Sequence, residues 1–392
     1  MDFLYISPEF PPYNRQFIQR LARHGVRVWA LGEADFYEMP EDLREDLKWY
    51  VRADLKDPIA VRRAVEELLA AQTGLGQAPN IDRVESHNES WLRLEGFINA
   101  AFDLPGIRPE GLDRLKKKSE MKTVFRACGF PVAEGEVVGS IDHARIFART
   151  LGYPVILKPD EGVGAGGIYR VESPAELEGI VPTLQEPYML ERFMAAPIVT
   201  FDGLTDATGR VLFENSLVYG DGVFDYVLGK DTFFYVTRRI PHDLLGTGRR
   251  LVEAFEIRGK FFHFEFFRVN ETYYPIEINC RPPGGAILDM MNFSADVDLY
   301  DAYARMVQGK AVELKKEKKY YCCYLGRRER AYAMTHEEVI ASFGGTLCSF
   351  EENPPIFQQA MGRYRYILRS AAEKEILNMA ERILEPLAGL NP

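Results

Sequence analysis

No apolar run in this 392-residue sequence approaches the roughly 20 residues that a membrane-spanning helix needs, so a bilayer-embedded protein is not indicated. Positive charge is in deficit. The 48 Lys and Arg stand against 58 Asp and Glu, and the net charge of −10 argues against a general nucleic-acid or anionic-membrane surface. Cysteine is scarce and unpatterned: Cys128, Cys280, Cys322, Cys323 and Cys348 show no zinc-type spacing, so reduced thiols are expected. Adjacent Cys322 and Cys323 would point to opposite sides of a strand, and Cys280 reads first as a small buried residue and only second as a nucleophile. The first apolar run, Phe3–Ile6, is not followed by Gly-x-Gly-x-x-Gly, so no dinucleotide site is predicted there. That strand-like start stands in place of a basic leader with a long apolar stretch, and a cytoplasmic protein is expected. The acidic surface and ordinary apolar content permit a homodimer.

At about 100–200 residues per domain, the length predicts two to four domains. Short apolar runs alternate with helical patterns over the first hundred residues: Phe3–Ile6, a helix near Arg15–His24, Val26–Ala30, a helix from Pro58 to Gln72, Arg83–Ser86, and a helix near Trp91–Phe102. Strand alternating with helix predicts a parallel, Rossmann-like sheet. A Pro- and Gly-rich bridge from Leu104 marks a boundary. Beyond it come a helix near Leu112–Cys128, a strand near Val137, a helix near Ile141–Leu151 and the strand Val155–Lys158. Ser173 with Glu176, and Thr335 with Glu338, have capping-box spacing. From Tyr188 to Asn279 longer, turn-linked strands predict an antiparallel sheet, and the tail after Val312 is mixed, with a last helix near Glu373–Leu384.

The most informative segment runs from Phe262 to Asn279: two alternating apolar runs around the turn cluster Asn270-Glu271-Thr272. With a three-residue loop, Val269 pairs with Tyr273 and Glu265 falls opposite Glu277, with Asn279 on the same face. Like charges about 5 Å apart repel by roughly 3 kcal/mol at an effective dielectric of about 20. A divalent cation reverses that sign, and two carboxylates with an amide suit Mg²⁺ or Mn²⁺. A solvated or Arg-paired edge, or a four-residue loop that shifts the register, is the alternative.

Three further segments carry polar chemistry. The strand Val155–Lys158 enters a loop containing Gly162, Gly164, Gly166 and Gly167, whose backbone N–H groups can approach a bound anion above Lys158. Lacking Gly-Lys-Ser/Thr and a following helix, it is not a Walker loop. The alternative is a hairpin with no ligand. The basic run Lys116-Lys117-Lys118 with Lys122 opens a helix and, taken alone, reads as a solvated face. Tyr188-Met-Leu-Glu191-Arg-Phe193 is an apolar strand interrupted by a carboxylate, where backbone groups suit an adenine edge; an exposed Glu on a strand is the plain reading.

In this order, Lys118, the Lys158 strand, the Gly loop, Met-Leu-Glu191-Arg-Phe193, Phe-Glu265-Phe and Ile-Glu277-Ile-Asn279-Cys-Arg281-Pro-Pro-Gly284-Gly285 resemble the ATP-grasp superfamily. The likeness is to its carboxylate–amine ligases and biotin-carboxylase-like members and covers residues 1–310. It implies an α/β and α+β chain: a Rossmann-like pre-ATP-grasp domain at 1–110, a small lid lobe at 111–195, a C-lobe with the metal site at 196–312 and an α/β domain at 313–392. It also implies that Lys118 and Lys158 bind ATP phosphates beneath the Gly flap, that Glu191 and Phe193 lie along adenine, and that Glu265, Glu277 and Asn279 bind Mg²⁺ or Mn²⁺. Arg281 would steady an acyl phosphate or an acceptor carboxylate, with N–H groups of Gly284 and Gly285 on the substrate. Where members carry a second Glu, expected on the ribose, this chain has Ile198, which puts adenosine selectivity in question.

The activity so implied is an ATP-dependent ligase joining a small-molecule carboxylate to an amine through an acyl phosphate, releasing ADP and phosphate. A small-molecule kinase and a nucleotide-binding protein without catalysis are the rival readings. Arg238 and Arg239, between the adenine strand and the hairpin, are read as surface charge first and as holders of an acidic substrate second.

Overall fold

The structure, a computed structural model, describes residues 1–162, 166–220, 229–315 and 317–387. Its first unit is a four-stranded parallel sheet in the order β3-β2-β1-β4, made of β1 (Asp2–Ile6), β2 (Arg27–Gly32), β3 (Leu47–Arg52) and β4 (Arg83–Glu85). The central strands β1 and β2 are buried on both faces because helices cover both, as a parallel sheet requires. Helix Asn14–Arg23 covers one face through Phe17, Ile18 and Leu21, and helix Pro58–Gly74 the other through Val61, Val65 and Leu68. β3 escaped the sequence reading because its exposed Lys48 and Trp49 obscure the apolar pattern.

A second, small sheet has the order β5-β8-β6-β7: β5 (Gly135–Val138), β6 (Val155–Pro159), β7 (Tyr169–Val171) and β8 (Tyr188–Arg192). Its pairs are antiparallel, and its own core is built on Val155, Leu157, Leu190 and helix Ile141–Leu151. The third sheet has nine strands: β9 (Ile198–Thr205), β10 (Val211–Asn215), β11 (Leu217–Tyr219), β12 (Thr232–Val236), β13 (Phe261–Val269), β14 (Thr272–Asn279), β15 (Tyr321–Arg327), β16 (Leu347–Glu352) and β17 (Tyr364–Ser370). Its order is β14-β13-β9-β11-β12-β15-β17-β16, with β10 also on β9, so the strands after 313 extend the sheet begun at Ile198.

The predicted helix over Leu112–Cys128 is broken at Lys117, whose extended backbone separates a short turn from helix Lys118–Ala127. That helix packs Met121 and Phe125 on the same core as Phe201, Phe262 and Phe264 of the large sheet. Among the described residues no helix is long and apolar enough to cross a membrane, and the five cysteines are unpaired, with Cys322 and Cys323 in different cores on opposite faces of β15.

Candidate functional site

β13 has period-two chemistry: Phe262, Phe264 and Phe266 enter an apolar core, leaving His263 and Glu265 on the other face. The turn to β14 is shorter than the sequence reading expected. Val269 pairs with Thr272 across a two-residue Asn270-Glu271 loop, with Asn270 at φ +54°. Asn tolerates this left-handed backbone better than most residues. The register then shifts: Phe266 faces Pro275, yet Glu265 faces Glu277. Ile276 is the extra residue of a β-bulge, and it reverses the strand's facing, so that Tyr273 and Ile278 enter the same core. The residue missing from the loop is thus restored by the bulge, and the predicted pairing of the two glutamates stands on different geometry.

The carboxylates are embedded in a polar row across the sheet. His263 Nε2 lies 3.2 Å from Glu265 and its Nδ1 2.7 Å from Asp202, which is fully buried. Asp202 also accepts from Thr200 Oγ1 and from Asn215 Nδ2, and the Asn215 amide oxygen accepts from buried Lys318 Nζ at 2.9 Å. Burial favours neutral imidazole, but hydrogen bonds to Asp202 and Glu265 outweigh it and raise the His263 pKa to about 9. Asn279 Nδ2 donates to Glu277 Oε1, and Lys118 Nζ lies 3.6 Å from Glu277 Oε2. Burial would raise the Glu277 pKa, yet the charges of Lys118 and Lys158, the Asn279 hydrogen bond and Arg281 bring it below the ordinary range. Glu277 is therefore ionised.

In the small sheet Val155, Leu157, Tyr188 and Leu190 face the local core, so Lys158 and Glu191 emerge together on the other side. The Glu191 carboxylate is buried between Lys158 Nζ at 2.7 Å and Lys122 Nζ at 2.9 Å. Lys122 also donates to the Ala133 carbonyl at 2.7 Å. Burial pulls the Lys122 pKa down despite its partner, whereas the shared carboxylate, against the effect of burial, is held below its usual value by two cations. Gly135 lies opposite Glu191 because a Cβ there would stand 2.5 Å from Glu191 Cγ. The Glu191 main chain has partners on both sides, Gly135 and Ile156, so its side chain rather than its backbone faces the site. The alternation Met-Leu-Glu-Arg carried that signal.

Sequence reading missed Asp160. Its carboxylate accepts from Ser119 N and Ser119 Oγ, each at 2.8 Å, and its carbonyl accepts from Lys118 N. It thus caps the helix that begins with Lys118, placing an anion at the helix N-terminus and tying Lys118 to the end of the Lys158 strand. Of the Gly loop, Gly162, Gly166 and Gly167 are described while Gly164 lies outside the described residues; Gly167 has φ +73° and backs onto Tyr188. Phe193 carries the Arg170 guanidinium on its ring at 4.4 Å. Ile198 opens β9 opposite Phe267.

Arg281 gives one donor to the Pro282 carbonyl at 2.7 Å, and its charge acts on both Glu277 and Tyr13. Gly284 is exposed, and Gly285 takes φ +60° against Met361. Arg238 and Arg239 are not brought to this centre. They follow β12, four strand spacings of about 4.8 Å from β14, or roughly 19 Å away. There they line a separate cavity, of about 360 Å³, with Glu214 and Lys318, and Arg238 is spent on the carbonyls of Lys318 and Ala371. Cys280 is buried, its pKa pushed up to about 12 by burial, which makes it a packing residue.

Among the described residues, no group of three or more His, Cys, Asp and Glu side chains is arranged to hold a metal alone. Glu265, Glu277 and Asn279 offer two carboxylates and an amide, hard oxygen donors with one carboxylate held ionised. This fits Mg²⁺ or Mn²⁺, which takes few protein ligands and fills its remaining positions with water and phosphate oxygens.

A family model described as the ATP-binding domain of the carbamoyl-phosphate synthase L chain matches residues 114–196. The carbamoyl phosphate synthase large chain of Agathobacter rectalis is 20% identical over 231 residues, 56% of this chain and 21% of that protein. The L-arginine-specific L-amino acid ligase of Bacillus subtilis is 23% identical over 265 residues, 64% of this chain and 62% of that one. The chain thus spans between a fifth and two thirds of the length of these curated relatives, 21% and 62%. Among solved structures, an L-amino acid ligase from Bacillus licheniformis superposes with a TM-score of 0.73 at 15% identity, covering 98% of this chain and 96% of that one.

Proposed function

We propose, from the premise that this chain has the ATP-grasp fold, that it is an ADP-forming carboxylate–amine ligase. The observation that carries the reading is the ionised Glu277 paired across the hairpin with Glu265, with Lys118 and Lys158 converging on it from outside the large sheet. His263 on Glu265 and Lys118 on Glu277 already counter part of the repulsion in this carboxylate pair, and the two nearly buried ammoniums of Lys118 and Lys158 beside it suit a polyphosphate. Glu265, Glu277 and Asn279 would hold Mg²⁺ or Mn²⁺, which when bound neutralises charge on phosphate oxygens. Lys118 and Lys158 hold the ATP phosphates, Glu191 with Lys122 sets the position of the Lys158 ammonium, and the Gly162–Gly167 loop covers the nucleotide. Arg281 orients the substrate carboxylate, which attacks the γ-phosphate to give an acyl phosphate and ADP. An amine then takes the acyl group and releases phosphate. The amino-acid ligases among the relatives favour an amino acid as one of the two substrates.

The test is ADP release that requires both a carboxylate and an amine, with the acyl phosphate trapped as a hydroxamate. Glu277→Gln should lower turnover by at least about 100-fold, since even the partners of metal ligands are worth 10- to 100-fold. Its circular dichroism should stay that of the wild type. Formation of AMP and pyrophosphate, a stable phosphorylated product without an amine, or full activity of Glu277→Gln would each overturn the reading.

A further inference from the structure

A cavity of about 200 Å³ lies beyond Arg281, between the loop after β1, the segment after the Gly284-Gly285 turn, and the last strands of the large sheet. Its lining includes Tyr13, Asp289, Tyr300, Phe357, Met361 and Arg365. Gly285, four residues after Arg281, forms part of its wall, and Tyr13 across the cavity feels the Arg281 charge. Phe357 is held by stacking on Phe10 at 5.9 Å, which closes the wall between the two ends of the chain.

Two polar groups in this cavity lack full complements. Asp289 accepts from Tyr300 Oη at 2.9 Å, yet no cation lies within ion-pair distance of it among the described residues. Arg365 is bound to Glu351 through Nη2, while its Nε–H is buried without an acceptor. An unmade hydrogen bond on a buried donor is expensive, so an acceptor brought by a ligand is strongly favoured there. Arg365 lies near enough to act on the Asp289 charge without pairing directly with it. Arg15 and Glu351 line the cavity as well, and Glu351 takes Nη2 of Arg365. This leaves the Nε–H of Arg365 for a further acceptor and the Asp289 carboxylate for a cationic donor, a pair of positions complementary to a molecule carrying both opposite charges.

We propose that this cavity seats the amine substrate as a zwitterionic amino acid with an apolar or aromatic side chain, its carboxylate on Arg365 and its amino group on Asp289. The inference rests on the ligase reading for its chemistry and on the cavity alone for its binding claim. Arg365 reads the carboxylate that remains unreacted; Asp289 faces the end that reacts. In the step, the nitrogen bonds to the acyl carbon and the carbon–oxygen bond to phosphate breaks. Of the two protons the ammonium loses, one passes to the Asp289 carboxylate and the other leaves on phosphate as HPO₄²⁻. Burial raises the Asp289 pKa, only partly offset by Tyr300 and Arg365, which suits a proton acceptor. Tyr13, Phe357 and Met361 give the side chain an apolar wall.

The experiment uses the full chain. Each of the twenty amino acids is titrated calorimetrically, and the best binder is compared with its decarboxylated amine, in wild type and in Arg365→Gln. The amino acid should bind Arg365→Gln about 10- to 100-fold more weakly, the value of a charge-assisted hydrogen bond, while the amine binds both alike. In ADP-release assays Arg365→Gln should raise the KM of the amino acid and leave kcat nearly unchanged. Asp289→Asn should lower kcat by about 100-fold or more, the scale of general-base catalysis. Arg365→Lys should recover part of the affinity, and thermal midpoints verify that each variant folds. If amino acids bind with this Arg365 dependence but no pair releases ADP, the ligase reading falls and the cavity assignment stands. If ADP release needs an amine yet neither substitution changes its kinetics, the cavity assignment falls and the ligase stands. Absence of both amino-acid binding and amine-dependent ADP release overturns both.

Discussion

Lys122 is the residue whose removal most directly tests how the two halves of the site are joined. It belongs to the helix packed on the large sheet, whereas Glu191 belongs to the small sheet, so their 2.9 Å ion pair crosses from one body to the other. Both side chains are nearly buried. Removing one partner of a buried pair costs about 3–5 kcal/mol, and because Glu191 keeps Lys158, the lower end is expected for Lys122→Met. About 3 kcal/mol is roughly a 100-fold increase in the opening of the small sheet. Hydrogen exchange of the Met189, Leu190 and Glu191 amides reports that opening, and these should exchange about 100-fold faster while amides of β1 and β2 are unaffected. Glu191→Gln has a different effect, since it leaves two buried ammoniums without their shared anion. Adding Lys122→Met to it should therefore add little further loss, with a coupling of at least about 1 kcal/mol away from additivity. Strictly additive effects, or a change in exchange below threefold, would refute the shared-carboxylate account.

Two other outcomes follow from further buried groups of the large sheet and its surroundings. Burial pulls the Lys318 pKa from 10.5 down to about 7, against the favourable charges of Asp202 and Glu214. Between those values the unfolded chain holds a proton that the folded chain has released, so this group makes stability rise with pH across that window. Urea midpoints between pH 6 and 10 should show that Lys318→Met flattens this rise; parallel profiles would contradict it. In β9, a Cβ on Gly203 would stand 2.2 Å from the Phe213 carbonyl and 2.6 Å from the Phe262 ring. Gly203→Ala should cost at least about 1–3 kcal/mol by overpacking, and an unchanged thermal midpoint would show that the neighbours yield more than their backbone anchoring implies.

The elements most legible in the sequence were those whose chemistry is periodic and local. Helices Ile141–Leu151 and Glu373–Leu384 lie where their patterns put them, and Thr335 with Glu338 forms the reciprocal cap. Ser173 caps its helix too, but Glu176 reaches back to Glu172 N instead. The hairpin was legible as a pairing and not as a path, because the exchange of one loop residue for a bulge at Ile276 leaves no mark on the alternation near Glu265. Lys122 looked like surface charge, since a helix-borne lysine run says nothing of the carboxylate that descends on it from Glu191. The cavity beyond Arg281 was invisible for a similar reason. Asp289 and Arg365 are far apart in sequence and meet only because β15 and β17 join the large sheet.

The Asp160 clamp has a mechanical consequence. It fastens the foot of the small sheet to the start of the Lys118 helix, so a swing of that sheet turns about this point. Lys158, two positions away, sits near the axle and travels little, as do Gly162 and Gly167 against Pro159, whereas the opposite end of the strand, where Val155 pairs with Arg192, sweeps widest. On the ligase reading proposed above, a gate hung this way admits a nucleotide while the ammoniums of Lys118 and Lys158 stay nearly still.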